Sequence, residues 1–190
     1  STGTASMALF GLFRSDPLKE SGYAMYGVAG EHARLPAFYE ALEVDDSFDG
    51  RFDLLVLHLH LIMRRLRTLS RDGRRAQQHL FDVFIKDIDQ GLRLAGVGDI
   101  GIGHRVKKMS NAYYGRVIAY DTAMDEGEGR ALEDALHRNL YRARNVRPET
   151  LPAMAAYVRG AEARLAAAAD ADIVSGRFVF GEPEREKEDV

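Results

Sequence analysis

The stretch FDLLVLHLHLIMRRLRTL, residues 52–69, decides the fold class of this 190-residue chain. Its apolar side chains recur in alternating steps of three and four residues, the spacing of one face of an α-helix. These are Phe52, Leu55, Leu59, Ile62, Leu66 and Leu69. The alternation within LHLHL would suit a strand, but it ends at Arg64 and Arg65, so the segment is predicted to be a helix.

The same spacing recurs along the rest of the chain and predicts further helices. A short helix is expected in PAFYEALE, residues 36–43, and longer ones near residues 81–95, 106–124, 132–143 and 151–165. Only SGRFVF, residues 175–180, resembles a strand, and it can equally form an extended arm. The sequence therefore predicts an all-α, single-domain helical bundle of about six to seven helices with short loops.

Composition limits the classes of protein that this chain can belong to. A hydrophobic fraction of 46% and a charged fraction of 29% are those of a globular protein. The absence of cysteine excludes disulfides, thiolate metal sites and cysteine nucleophiles. The longest apolar run, residues 54–63, is too short to span a membrane, which takes about 20 residues.

The ends of the chain are expected to lie outside the folded unit. Residues 1–6 are interpreted as an expression-tag remnant, with Met7 as the natural start. Residues 7–180 are predicted to form the helical domain. The remaining residues, 181–190, are predicted to be a charged flexible tail, because they are short, terminal and mostly charged.

A glycine motif in AGVGDIGIGHRVKKM, residues 95–109, has the spacing of a dinucleotide-binding loop: Gly96, Gly98 and Gly101. That loop requires a preceding strand, whereas an amphipathic helix is predicted here. We therefore expect a connector between helices, with Gly96 as a helix cap and with Val97, Ile100 and Ile102 packed between helices. No cofactor is predicted.

Sites for metals and for catalysis are not indicated. His58 and His60 are two residues apart, so on a helix they point about 200° away from each other and cannot share a metal. Serine is scarce, and no nucleophile elbow is present. The chain is therefore not expected to be an enzyme, and partly buried imidazoles with satisfied hydrogen bonds are the default for both histidines.

The centre of the chain is basic. Residues 51–116 contain thirteen Lys or Arg against six Asp. Such runs are usually solvated, but they can also form a surface for RNA, ribosomes or anionic lipid. The candidate basic surface comprises Arg64, Arg67, Arg71, Arg105, Lys107, Lys108 and Arg116. Arg105, Lys107 and Lys108 are expected in the first turn of a helix, where the helix dipole disfavours cations.

Four segments together resemble the ubiquinol–cytochrome c chaperone family. They are DGRFDLLVLHLHLIMRRLR (residues 49–67), LFDVFIKDIDQGLRLAGVGDIGIGHRVKKM (80–109), YYGRVIAYD (113–121) and ALHRNLYR (135–142). The resemblance implies a non-enzymatic chaperone for assembly of the respiratory cytochrome bc1 complex. It also implies newly made cytochrome b as the client, with the ribosome and a small partner protein as further partners of mitochondrial members.

The resemblance has one departure. Mitochondrial members often have Trp where this chain has His137. The aromatic anchor at this position is therefore lost, which weakens the inference that a partner is contacted there. Because no transit peptide is recognised, the chain is interpreted as a bacterial member. Its expected location is the cytoplasm, or the inner face of the cytoplasmic membrane as a peripheral protein on anionic lipid.

A chaperone for a membrane protein needs an apolar groove that accepts a hydrophobic helix. The candidate client surface comprises Tyr113, Tyr114, Gly115, Val117 and His137, with the basic surface as its flanks. At Gly115 itself, close helix packing is favoured over a partner groove. The alternative functions are an RNA- or ribosome-binding regulator and, more remotely, a nucleotide-binding enzyme that uses the glycine loop.

Overall fold

The computed structural model describes residues 16–69, 71–127 and 129–183. Over these ranges the chain is all-α with no strand, as predicted, and it forms one compact domain. Its helices are α1 (Pro17–His32), α2 (Pro36–Glu40), α3 (Phe48–Leu66), α4 (Gly73–Leu94), α5 (Asp99–Asp125), α6 (Ala131–Asn139), α7 (Thr150–Ala167) and α8 (Asp170–Val174). The interpreted tag residues and positions 184–190 of the predicted tail lie outside the described ranges.

Helix α3, which the hydrophobic pattern predicts, is the central element of the bundle. It packs against α1, α4, α5 and α7, and both of its histidines are buried with its leucines. Its first turn is capped by the Ser47 hydroxyl, which accepts a hydrogen bond of 3.1 Å from the Gly50 amide. At Gly50 a Cβ would lie 1.9 Å from the Asp45 carbonyl oxygen, so only glycine allows this close approach of the preceding loop.

Helix α1 is absent from the sequence-based prediction. Gly22, Gly27 and Gly30 lie within it, and each lowers helix propensity by about 1 kcal/mol relative to alanine. Tertiary packing offsets this cost, because α1 lies against α4 with Met25 and Ala29 fully buried. Gly22 allows the two backbones to approach, since a Cβ there would lie 2.9 Å from the His79 backbone.

Helices α4 and α5 form a hairpin through a four-residue connector, residues 95–98. Gly96 has φ +80° and caps α4, as expected. Helix α5 begins at Asp99, earlier than predicted, so Ile100 and Ile102 are both helical and point in different directions. Ile102 is buried and Val97 half-buried, but Ile100 is 97% exposed, so its predicted packing between helices is wrong.

The early start of α5 also moves the cations that follow. Arg105, Lys107 and Lys108 lie beyond its first turn, so the predicted first-turn placement is wrong. The dipole penalty is small there, because its effect falls off within one turn. All three side chains are exposed.

The C-terminal part completes the bundle. Helix α6 ends at Asn139, earlier than predicted, because Arg142 and Ala143 adopt positive φ angles. Helix α8 was not predicted. The segment 175–180 is an extended arm, in which the buried Phe180 ring contacts the rings of His32 and His58 at centroid distances of 5.1 and 4.8 Å. Residues 181–183 continue this arm.

None of the helices in the described ranges combines the length and apolar character that a membrane crossing requires.

Candidate client groove and charged surfaces

An open groove of about 350 Å³ lies between α1, the start of α3, α4 and the middle of α5, and Tyr39 of α2 also lines it. Its walls are mostly apolar and aromatic. They include Tyr26, Tyr39, Phe48, Phe52, Phe84, Ile88, Leu92 and Met109. Phe48, the first residue of α3, is 69% exposed at its edge. A cavity of this size accepts several side chains of a partner rather than a whole helix, whose diameter is about 10–12 Å.

Small residues keep the groove open. Gly30 on α1 and Ala33 just after that helix line it, together with Gly91 near the end of α4 and Ala95 just after it. A Cβ at Gly91 would have nothing within 4 Å, so glycine is not required there by packing. A larger side chain at this position would occupy the groove without displacing a neighbour.

Polar groups fix the rim. The Tyr26 hydroxyl donates a 2.6 Å hydrogen bond to Asp87 Oδ2, and burial together with this carboxylate raises the pKa of Tyr26. The Tyr39 hydroxyl donates to the Ala33 carbonyl at 2.6 Å. Arg51 lies over the Tyr39 ring at 5.8 Å while it pairs with Asp46 at 2.6 Å. Both tyrosine rings are thus held in place along the groove.

The candidate basic surface is divided by its pairing. Arg64 contacts three carboxylates, those of Asp121, Asp125 and Glu162, at 2.7–3.2 Å. Arg67 donates two hydrogen bonds to Asp121, at 2.6 and 2.7 Å. These arginines tie α3 to α5 and α7, so their charges are largely neutralised.

Asp121 is the hub of this network. His60 Nε2 lies 2.8 Å from its Oδ1. Burial raises the pKa of Asp121, but the hydrogen bonds from His60 and Arg67 outweigh it and lower the pKa well below its usual range. The carboxylate is therefore ionised and structural.

A second ion cluster lies deeper. Asp53 is fully buried, and its carboxylate lies 2.8 Å from Arg116 Nη2 and 2.7 Å from Arg142 Nε. Burial raises the pKa of Asp53 while the two arginines oppose that shift. Arg116, predicted as surface, is thus a partner of a buried acid. The others of the candidate set, Arg71, Arg105, Lys107 and Lys108, are exposed and form no ion pair with any described residue.

The five residues of the candidate client surface do not meet in one pocket. Tyr113 is buried against Phe81 and Phe84, and Val117 is half-buried. His137 is on α6, where Nε2 donates to the Arg144 carbonyl at 2.9 Å. Their role in client binding stays a prediction.

The other two members of that set, Tyr114 and Gly115, are exposed on α5. A Cβ at Gly115 would have nothing within 4 Å, so the packing interpretation of this glycine is wrong.

The two histidines of α3 have separate partners on opposite sides of the helix. His58 Nδ1 donates to the Leu54 carbonyl at 2.8 Å, so Nε2 accepts from the Tyr157 hydroxyl at 2.7 Å. Burial lowers the pKa of His58 to about 3. No cluster of metal-ligating side chains occurs in the described part of the chain.

The glycine motif connects two helices. Helix α4 precedes it, so the strand that a dinucleotide-binding loop needs is absent from the described ranges. The groove itself was missed by sequence reasoning. The aromatic residues Tyr39 and Phe48, shortly before and at the start of α3, were visible in the sequence. They can be assigned to a groove only after α1, α4 and α5 are placed around them.

Known proteins are similar to this chain in sequence, and a solved structure is similar to it in the arrangement of its helices. Residues 40–180 match the family described as ubiquinol-cytochrome C chaperone. The crystal structure of the Cbp3 homolog from Brucella abortus superposes with a TM-score of 0.78 at 31% identity, covering 92% of this chain and 97% of that one.

Relatives with curated names are also similar to this chain in sequence. Ubiquinol-cytochrome-c reductase complex assembly factor 1 of Xenopus laevis is 22% identical over 142 residues, which are 75% of this chain and 70% of that protein. Mitochondrial protein CBP3 of Saccharomyces cerevisiae is 29% identical over 152 residues, 77% of this chain. The match spans only 44% of the yeast protein and 48% of the mouse assembly factor.

The family match covers well over half of the chain, and the solved homologue shares its helical arrangement over nearly its full length. The chain belongs to the ubiquinol–cytochrome c chaperone family.

Proposed function

We propose that this protein is a non-enzymatic chaperone for assembly of the cytochrome bc1 complex, and that it holds newly made cytochrome b through the groove between α1, α3, α4 and α5. The observation that carries the proposal is the open, aromatic groove itself, with Phe48 exposed at its edge. The assembly factors to which the chain is similar act on the ubiquinol–cytochrome c reductase complex, by name, and the proposed client is a subunit of that complex.

The groove suits several apolar side chains from one face of a client helix. Aromatic and aliphatic walls bind apolar side chains of different client sequences, and the flexible side chain of Met109 adapts to different shapes. The cationic side chains Arg34 and Arg51 and the carboxylate of Asp87 lie among the lining residues and suit the polar ends of such a helix. The described residues with shifted pKa values are explained by structural ion pairs and burial, which fits a role without turnover.

A plug in the groove tests the proposal. Gly91→Leu fills the cavity, while the helix gains propensity of about 1 kcal/mol, so folding is retained. In the native organism, a gene deletion should lower the cytochrome b and c haem bands of the bc1 complex while cytochrome oxidase stays normal. The wild-type gene should restore these bands, and the Gly91→Leu gene should not.

The matched control is Gly27→Leu, which also replaces a helical glycine with open space around its Cβ. This variant should restore the bc1 complex. A photo-reactive amino acid at Phe48 should crosslink to cytochrome b, and one at the exposed Val179 should not. Normal bc1 levels in the deletion strain would contradict the chaperone function, whereas full rescue by Gly91→Leu would contradict the groove.

The RNA- or ribosome-binding alternative receives less support. Three of the seven candidate cations, Arg64, Arg67 and Arg116, are occupied by carboxylates of the protein itself. The proposed location is the inner face of the cytoplasmic membrane, as a peripheral protein, because the proposed client is a membrane protein.

A further inference from the structure

Helix α5 has an outward face that mixes apolar side chains with cations. Steps of four and three residues place the following side chains on one line, and all of them are exposed: Ile100, His104, Lys107, Asn111, Tyr114 and Ile118. We call this line the outer stripe. The core-facing stripe of the same helix consists of the buried Ile102, Tyr113 and Tyr120 and the half-buried Val106, Met109 and Val117.

The apolar members of the outer stripe are unusually accessible. Ile100 is 97% exposed, Ile118 is 66% exposed and Tyr114 is 52% exposed. Leu94, the last residue of α4, is 81% exposed on the other side of the short connector. Single exposed apolar residues are common on protein surfaces, but here three of them, Ile100, Tyr114 and Ile118, lie on one face of the same helix.

Residues 100–120 of α5 carry charge of one sign, whereas the acids of this helix, Asp99, Asp121 and Asp125, lie outside that segment and pair with Arg93, Arg67 and Arg64. No Asp or Glu occurs between Ile100 and Tyr120. Arg105, Lys107 and Lys108 are exposed without an ion pair to any described residue, whereas Arg93 is already held by Asp89 and Asp99 at 2.7 Å. Lys107 lies within the stripe and Lys108 lies about 80° to one side of it, whereas Arg105 lies about 140° away around the helix.

We infer that the outer stripe of α5, together with Leu94, is a docking surface for an anionic lipid bilayer. Apolar side chains enter between head groups, while lysine and arginine contact the phosphates, which is how interfacial helices bind. Ile100 and Ile118 are about 27 Å apart along the helix, so the two ends would contact the bilayer over a wide base. Tyr114 between them is a residue type that favours the membrane interface.

Other occupants fit the pattern less well. RNA would leave Leu94, Ile100 and Ile118 in water, and it would find Tyr114 alone for base stacking. A second protein helix would need a continuous apolar seam, but Lys107 and Asn111 interrupt this one. The inference rests on the peripheral location in the proposed function but not on the identity of the client.

Vesicle binding tests the inference without any client. The full chain should bind phosphatidylcholine vesicles that contain about one third phosphatidylglycerol and should not bind pure phosphatidylcholine. Each cation strengthens such binding about fivefold, so Lys107→Ala and Lys108→Ala together should weaken it about 25-fold. The control pair Arg74→Ala and Arg138→Ala, also exposed, should change it less than about twofold.

Insertion can be observed directly because the chain contains no tryptophan. Ile100→Trp should give a blue-shifted emission on anionic vesicles, and Val179→Trp, at another exposed apolar position, should not. Ile100→Asp with Ile118→Asp should reduce binding at least about tenfold at an unchanged circular dichroism spectrum, because two apolar anchors are lost.

Several outcomes would overturn the assignment. They are equal binding to neutral and anionic vesicles, absence of vesicle binding, an unshifted emission from the Ile100→Trp variant, and cation variants that lose affinity for an RNA oligomer but not for vesicles. A concentration-dependent dimer that Ile118→Asp dissociates would assign the stripe to a second copy. Failure here leaves crosslinking from Phe48 intact, whereas failure of the groove leaves vesicle binding intact, so the two proposals fail separately.

Discussion

Two groups of cations in this protein look alike in sequence and differ in surroundings. Arg64, Arg67 and Arg116 hold carboxylates that tie α3 to α5 and α7. Arg105, Lys107 and Lys108 hold none among the described residues. The cations of the basic segment, residues 51–116, therefore have two different roles. One group compensates acids inside the bundle, and the other gives an outer surface its charge.

The inner group should dominate stability, and Asp53 gives the largest expected effect. Asp53→Ala leaves Arg116 and Arg142 without their buried partner, so the free energy of unfolding should fall by about 3–5 kcal/mol. Denaturant unfolding measures this change. Asp99→Ala, which removes an exposed ion-pair partner, is the control and should change stability by less than about 0.5 kcal/mol. Equal losses for the two variants would remove the distinction between the groups.

A smaller, pH-dependent effect should come from His58. Its pKa is about 3 in the folded protein against an ordinary value of 6.5, so between these values the unfolded chain binds a proton that the folded chain does not. Stability present above pH 6.5 is therefore lost as the pH falls, by up to about 1.4 kcal/mol per pH unit. His58→Gln should reduce this slope between about pH 5 and pH 6.5, as measured by denaturant unfolding.

His104→Gln, at an exposed position, should keep the wild-type slope. Burial also lowers the pKa of His32, which contributes a slope of its own, so the measured quantity is the change on substitution. An unchanged slope in His58→Gln would show that His58 is not held neutral by its surroundings.

The outer group should give the smallest effect on stability. Arg105→Ala, Lys107→Ala and Lys108→Ala should each change the free energy of unfolding by less than about 0.5 kcal/mol, because the side chains are exposed and unpaired with described residues. Thermal unfolding of the single variants measures this. A loss above about 1 kcal/mol would place these cations with the inner group and weaken the lipid assignment.

The hydrophobic pattern was sufficient for most of the fold. The 3–4 spacing located α3, α4, α5 and α7, because each has a stripe wide enough to define a buried face. It missed α1, whose buried positions are Gly22, Met25 and Ala29. Small residues carry little hydrophobic signal, and this helix is stabilised mainly by its close approach to α4.

The candidate sites were less predictable. The sequence predicted shared helix faces for the cations, but the pairing of Arg64 depends on Asp121, Asp125 and Glu162, which are more than fifty residues away. The groove is lined by residues of five helices, α1 to α5. The outer stripe was visible in principle, because Ile100, Tyr114 and Ile118 repeat at helical spacing. The apolar residues of α5 could not be divided between core and surface until α5 was docked on α3 and α4.

The helical class, the cap at Gly96 and the family could be read from the amino-acid sequence, because these follow from local periodicity, backbone chemistry and the order of motifs along one chain. Only the tertiary structure decided which arginines are neutralised, where the groove opens and which face of α5 meets solvent. Those properties belong to pairs of helices, and their energies depend on burial and on charges that the fold brings together from distant parts of the chain.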